Sequence, residues 1–312
     1  MIINSEKDVT NAVLSELQRA PNARFKEVMS AFVRHLHDFA REVKLTEDEF
    51  QTAVSYVVAL GKHTNESHNE AVLMSGSLGF STLICLLNNG ANGQTETDAN
   101  LLGPFWRTNS PRTENGGSII RSPTPGPVLF VDAWFRDVDG GPIAGADVDI
   151  WHSSPEGFYE SQDPVQADMN LRGTFTTDDN GHINFRTVKP AGYPIPVDGP
   201  VGELLRAQGR HNMRPAHLHV LARKEGFKTL ISQVYVNDDK YLDSDAQFGV
   251  TRHLIGNYVR HDNETPPAAG VTGAWYSLAH TFVLEAGASK LPKPPISGKA
   301  RAERPKIPTL TY

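Results

Sequence analysis

The chain has 312 residues, 39% of them hydrophobic and 21% charged, with a formal net charge of −6. This is ordinary globular composition for two modest domains or one large domain with an extension, and it excludes a disordered chain. The absence of a large basic field excludes a binder of nucleic-acid backbone, and the single cysteine, Cys85, excludes an internal disulfide or a thiolate metal cage.

The N-terminus, MIINSEKDVTNAVL, lacks the basic region and apolar stretch of a signal peptide, and no run reaches the ~18 apolar residues of a membrane span. The expectation is a soluble cytoplasmic protein. Phe25, Val28, Met29, Phe32, Leu36, Phe39, Ala40 and Val43 recur at three- and four-residue steps and predict one apolar helix face. Thr46 followed by Glu49 is a capping box that opens a second helix through Phe50, Val54, Val57 and Val58 to Gly61. A third helix is expected over about 67–87, ending at the breaker cluster 88–93, with Cys85 inside it as a small buried hydrophobe.

After Gly103 the character changes. Residues 107–127 are rich in Pro, Gly, Ser and Thr and read as a long irregular connection. Strands are predicted over 128–136, 146–151, 215–222 and 230–236, and a hairpin over 173–188 with Asp179-Asn180-Gly181 at its turn. The tail after Lys290 carries five prolines and reads as an extended surface segment. The fold class is therefore α+β by segregation, with a helical N-terminal domain over 1–105 and an antiparallel β-sandwich over 106–312.

The sharpest chemical signal is Arg214-Pro215-Ala216-His217-Leu218-His219-Val220. Side chains at i and i+2 of a strand share a face, so His217 and His219 project together, as a metal-binding pair or as histidines on a solvated face. Leu221 stands where a His-x-His-x-Asp zinc hydrolase would need its carboxylate, whereas Glu225 is roughly placed for a cupin. Tyr159 follows a strand, and Tyr193 sits in the rigid loop Gly192-Tyr193-Pro194-Ile195-Pro196. Each alone reads as a core or rim aromatic. Together with the histidines they form a donor set with a rationale: two phenolates are hard anions that, with two imidazoles, suit Fe(III), whereas Fe(II) sites favour two His and one carboxylate. A non-catalytic transthyretin-like sandwich is the remaining alternative.

These motifs, with Leu102-Gly103-Pro104-Phe105, Asp149-Ile150-Trp151-His152, Leu171-Arg172-Gly173 and Gln233-Val234-Tyr235, resemble those of the intradiol ring-cleavage dioxygenases, in the branch of catechol, chlorocatechol and hydroxyquinol 1,2-dioxygenases. The resemblance implies one Fe(III) held by Tyr159, Tyr193, His217 and His219, with Tyr193 the ligand that departs when a diol binds. It implies Arg214 and Gln233 beside the bound ring, O₂ as co-substrate, and ring opening between the two hydroxylated carbons to a dicarboxylate. It also implies a homodimer through the N-terminal helices, with a phospholipid at that interface. The pocket positions it carries over are Leu73, Gly76, Leu101, Leu102, Gly103, Pro104, Phe105, Ile195 and Pro196. The Leu-Gly-Pro-Phe stretch places hydroxyquinol first among substrates, then catechol. Gly76 leaves room for a substituted catechol, and Trp106 is an unusual residue after the motif.

Overall fold

A computed structural model describes residues 2–65, 68–88, 96–296 and 306–311. It divides into two compact units, 1–58 and 59–312. The first holds α1 (Glu6–Leu17), α2 (Ala23–Glu42) and most of α3 (Glu47–His63). Each start has a capping device that satisfies otherwise orphaned N–H groups. Asn22 Oδ1 accepts from Phe25 N at 2.8 Å. At α3 the predicted box is closed from both sides, Thr46 N donating to Glu49 Oε2 (2.8 Å) and Glu49 N to Thr46 Oγ1 (3.3 Å). The periodic apolar positions of α2 do share a face, but this face is left open: Phe25, Phe32 and Phe39 are 53%, 56% and 50% exposed.

In the second unit the expected single helix over 67–87 is two helices, α4 (Glu70–Ser77) and α5 (Phe80–Asn88), bent by 78°. Gly79 adopts φ +71° and its N–H returns to Gly76 O at 2.8 Å, so the chain ends one helix and turns before starting the next. Ser67 and most of the breaker cluster lie outside the described residues. Residues 107–127 form no regular element beyond isolated bridges. α4, α5 and residues 96–105 belong to this second compact unit.

The strands are β1 (Val128–Asp137), β2 (Asp147–His152), β3 (Arg172–Thr176), β4 (His182–Val188), β5 (Tyr193–Pro194), β6 (Met213–Arg214), β7 (His217–Arg223), β8 (Leu230–Val236), β9 (Ile255–Gly256), β10 (Tyr258–His261) and β11 (Trp275–Leu284); α6 (Pro200–Ala207) lies between β5 and β6. One sheet runs β10-β11-β1-β4, the other β3-β2-β7-β8-β9, and β5 pairs with β6 alone. The sheets are mixed rather than wholly antiparallel, since β1 pairs with β11 and β8 with β9 in parallel. The Asn-Gly turn is present but is not a hairpin: β3 pairs with β2 and β4 with β1, so the turn carries the chain from one sheet to the other.

The core lies between the two sheets. It takes Leu129, Val131 and Phe135 from β1, Val148 and Ile150 from β2, Leu218 and Val220 from β7 and Phe282 from β11. Phe175 of β3 stacks on Phe185 of β4 at 5.0 Å, bridging the layers. Burial of such side chains, at roughly 25 cal/mol per Å² of apolar surface, is what fixes the register of β7. With Leu218 and Val220 committed to the core, His217 and His219 must face the opposite side of their sheet.

Candidate active site

On that outer face β7 sets the first two groups. Its register places His219 opposite Trp151 of β2 and Gln233 of β8, and His217 opposite Tyr235. Both histidines are 1% exposed, so they are not a solvated strand face. His217 Nδ1 lies 2.7 Å from Pro215 O. A carbonyl only accepts, so Nδ1 carries the proton and Nε2 presents a bare lone pair. The His219 ring is held by stacking on Trp151, with centroids 4.6 Å apart and planes 7° apart.

The tyrosines arrive from two loops. After β2 the chain reverses, Ser154 N donating to Phe158 O at 2.8 Å, and delivers Tyr159 with its ring stacked on Phe105 at 4.5 Å. The two-residue ladder β5–β6 sets Tyr193 opposite Arg214. Four polar atoms then converge. Tyr193 Oη lies 3.3 Å from Tyr159 Oη, which lies 3.1 Å from His219 Nε2, itself 3.1 Å from His217 Nε2. Among the described residues no group of three or more His, Cys, Asp or Glu is placed to hold a metal. Glu225 is exposed at the far end of β7, which removes the cupin-type ligand set.

The electrostatics of the cluster suit a Lewis-acidic cation. Burial pushes both phenols above their ordinary pKa, furthest at Tyr159, where neighbouring Tyr193 adds to it. Burial, then the Arg214 charge, pulls His217 down to about 3, and burial with His217 beside it takes His219 well below its ordinary value. Burial thus favours the uncharged form of all four groups, with the His217 Nε2 lone pair turned toward His219. Desolvation of this kind is reversed by a strongly Lewis-acidic ion, which ionises phenols that burial alone keeps protonated. The donor set therefore fits a hard, high-valent cation.

Arg214 is 2% exposed and anchored from several sides. Asp245 holds it bidentately, Nε to Oδ1 and Nη2 to Oδ2, both at 3.1 Å. Its Nη2 also donates to Gln233 Oε1 (3.1 Å) and Tyr235 Oη (2.9 Å), and Nη1 lies 3.4 Å from His217 Nε2. Burial, the largest single effect, would lower the pKa of this guanidinium, but the charge and hydrogen bonds of Asp245 together with Tyr235 and Tyr193 outweigh it and hold it well above the ordinary value. Gln233 Nε2 donates to Leu101 O at 2.7 Å, tying β8 to the wall of the pocket.

That pocket is a cavity of about 550 Å³. Leu73, Gly76, Leu101, Leu102, Gly103, Pro104, Phe105, Ile195 and Pro196 all line it, together with Tyr193 and Arg214. Gly103 has φ +73°, and a Cβ there would sit 3.2 Å from His219 Cε1, so glycine lets the backbone approach the imidazole. Trp106 is buried away from the cavity and donates from Nε1 to Asp149 Oδ2 at 3.4 Å.

Three features were not read from the sequence. Gln247 lines the cavity, and its side chain fills the space that Gly76 was expected to leave open. Cys85 is half-buried at the cavity wall rather than deep in a core, with burial pushing its thiol up to about 11. Lys293, Pro294 and Pro295 of the tail also line the cavity. Ile296 is buried, and Leu310 N and Pro308 O bond to the Asn212 side chain at 2.8 and 3.0 Å. The tail therefore packs against the site rather than running free over the surface.

Comparison with known proteins points the same way. Residues 101–285 match the family model described as Dioxygenase, and residues 22–96 the one described as Catechol dioxygenase N terminus. A 6-chlorohydroxyquinol 1,2-dioxygenase of Cupriavidus pinatubonensis is 41% identical over 89% of this chain and 97% of its own. A hydroxyquinol 1,2-dioxygenase of a Rhizobium species is 38% identical over 89% and 95%. Among solved structures, a hydroxyquinol 1,2-dioxygenase of Pseudomonas putida superposes with TM-score 0.81 at 36% identity, covering 90% of this chain and 99% of that one. The catechol 1,2-dioxygenase of Pseudomonas arvilla superposes at 0.77 and 30%, covering 96% of each.

Proposed function

We propose, proceeding from the fact that this chain belongs to the catechol-type dioxygenase family, that it cleaves an aromatic 1,2-diol between its two hydroxylated carbons with O₂, hydroxyquinol before catechol. The observation that carries the proposal is the unbroken series of 3.1–3.3 Å contacts that joins Tyr193, Tyr159, His219 and His217, in that order, in a buried site opening on the cavity. The family is generally dependent on non-haem Fe(III), and we assign one ion per chain to these four side chains. When bound, Fe(III) supplies a Lewis acid that ionises the diol and accepts electron density from its ring.

The chain's own residues supply the rest. The family resemblance implies Tyr193, at the cavity wall on the short β5–β6 ladder opposite Arg214, as the ligand that would give way to a diol. Burial raises its pKa above the ordinary phenol value, so Tyr193 Oη would accept a diol proton and hold it. Arg214 keeps its charge against burial and faces developing negative charge on the substrate, a contribution of about 3–4 kcal/mol for a donor in such a site. Ile195, Pro196, Phe105 and Leu73 give the ring an apolar slot that excludes water.

We further propose a homodimer through the open apolar faces of α2 and α3, since Val57 and Val58 of α3 are 66% and 50% exposed and the phenylalanines of α2 are half exposed as well. A phospholipid acyl chain at that interface would cover the same surface. A cytoplasmic location fits a chain whose single cysteine gains nothing from an oxidising compartment. The enzymatic proposal is tested by supplying iron-loaded protein with hydroxyquinol or catechol under isotopically labelled O₂. Ring-opened dicarboxylate carrying label is expected; a quinone, or product without label, would sink it.

A further inference from the structure

We infer that Gln247 is the specificity-determining residue of the ring pocket, its Oε1 accepting a hydrogen bond from a ring hydroxyl other than the two at which the ring is opened. This rests on the ring-cleavage reading above and deepens it. Gly76 and Gln247 line the same cavity. A Cβ on Gly76 would overlap Gln247 Oε1 outright and come within 2.8 Å of its Cδ. A side chain at 76 therefore requires the amide of 247 to move aside, and in this chain the polar group at this wall of the pocket comes from the loop after β8.

The amide is oriented. Its Nε2 donates to Ser77 Oγ at 2.7 Å and reaches Leu73 O at 3.5 Å, and a backbone carbonyl only accepts. Oε1 is left as the acceptor, with no donor to it among the described residues. The loop is held by Asp245, whose Oδ1 accepts from Gln247 N and Oδ2 from Gly249 N, each at 3.0 Å. The same carboxylate grips Arg214. The acceptor thus stands on a frame shared with the group that faces the reacting end of the substrate, and it is 5% exposed. A trihydroxylated ring satisfies it; catechol leaves it unpaired. Sites built to bond a substrate hydroxyl discriminate strongly against analogues lacking it, by up to ~10⁴-fold when fully desolvated.

The test measures kcat/KM for hydroxyquinol and for catechol on iron-loaded wild type, Gln247→Met and Gly76→Ala. Methionine keeps the length and bulk of glutamine without its carbonyl. The wild type is expected to prefer hydroxyquinol, and the ratio of the two efficiencies to fall at least about tenfold in Gln247→Met. Gly76→Ala, which keeps the glutamine but must displace its amide, is expected to move the ratio the same way, and it decides the matter if Gln247→Met does not fold. A wild-type preference for catechol, a ratio unmoved in either folded variant, or a parallel fall in both efficiencies overturns the assignment while leaving ring cleavage standing. A wild type that opens neither ring overturns both.

Discussion

Tyr159 and His219 are held by their ring faces, Phe105 against the first and Trp151 against the second, which leaves their polar tips to each other. Removing one tip should therefore loosen the metal without collapsing the pocket. Tyr159→Phe is expected to lower iron retained after dialysis against a chelator at least about tenfold, read by metal analysis; unchanged stoichiometry would remove Tyr159 from the ligand set. Arg214→Gln is expected to lower kcat by about 10²–10³ with iron still bound. It should also lower the melting temperature, because Asp245 is left as a buried unpaired charge. The paired histidines were legible in the sequence because period-two alternation with Leu218 and Val220 fixes their side of the strand. The role of Gln247 was not, because nothing in the order of residues tells that a loop side chain fills the space over a glycine of α4.

Elements show the same division between what is local and what is not. The capping boxes are closed by neighbours three residues apart, so Thr46 and Glu49 announced α3. The Asn-Gly turn announced a reversal but not its partners, and strand pairing placed β3 and β4 in different sheets. The break at Gly79 is not legible in the sequence, because the apolar run on both sides of it continues the helical pattern. The proline-rich tail was visible as extended chain, but its docking on Asn212 and its part in the cavity wall depend on contacts far apart in sequence. Ending the chain at Lys290 should open one side of the cavity. KM for the diol is expected to rise several-fold with iron content maintained, measured by O₂ uptake; an unchanged KM would make the tail a bystander.

At the scale of the molecule, the open helical face and the buried imidazoles set the behaviour in solution. Phe32→Glu with Leu36→Glu should turn the proposed dimer into a monomer by light scattering, since the two residues are 56% and 48% exposed on one apolar face; a dimer that persists would place the interface elsewhere. His152 is buried and held by Thr187 and Ser153, and burial takes its pKa from 6.5 to about 4. The unfolded chain therefore takes up this proton first as pH falls. The stabilisation, on the order of 3 kcal/mol, is complete above about pH 6.5 and lost as pH drops toward 4. Melting of the metal-free protein should fall across that window, and less steeply in His152→Gln.

Fe(III) bound to two tyrosinates is the claim on which the rest depends, and an anaerobic visible spectrum of the iron-loaded protein tests it most directly, before and after a diol is added. A tyrosinate-to-iron band that moves to longer wavelength with hydroxyquinol, and at higher concentration with catechol, is the predicted result. A protein that stays colourless after loading with ferric iron would contradict it.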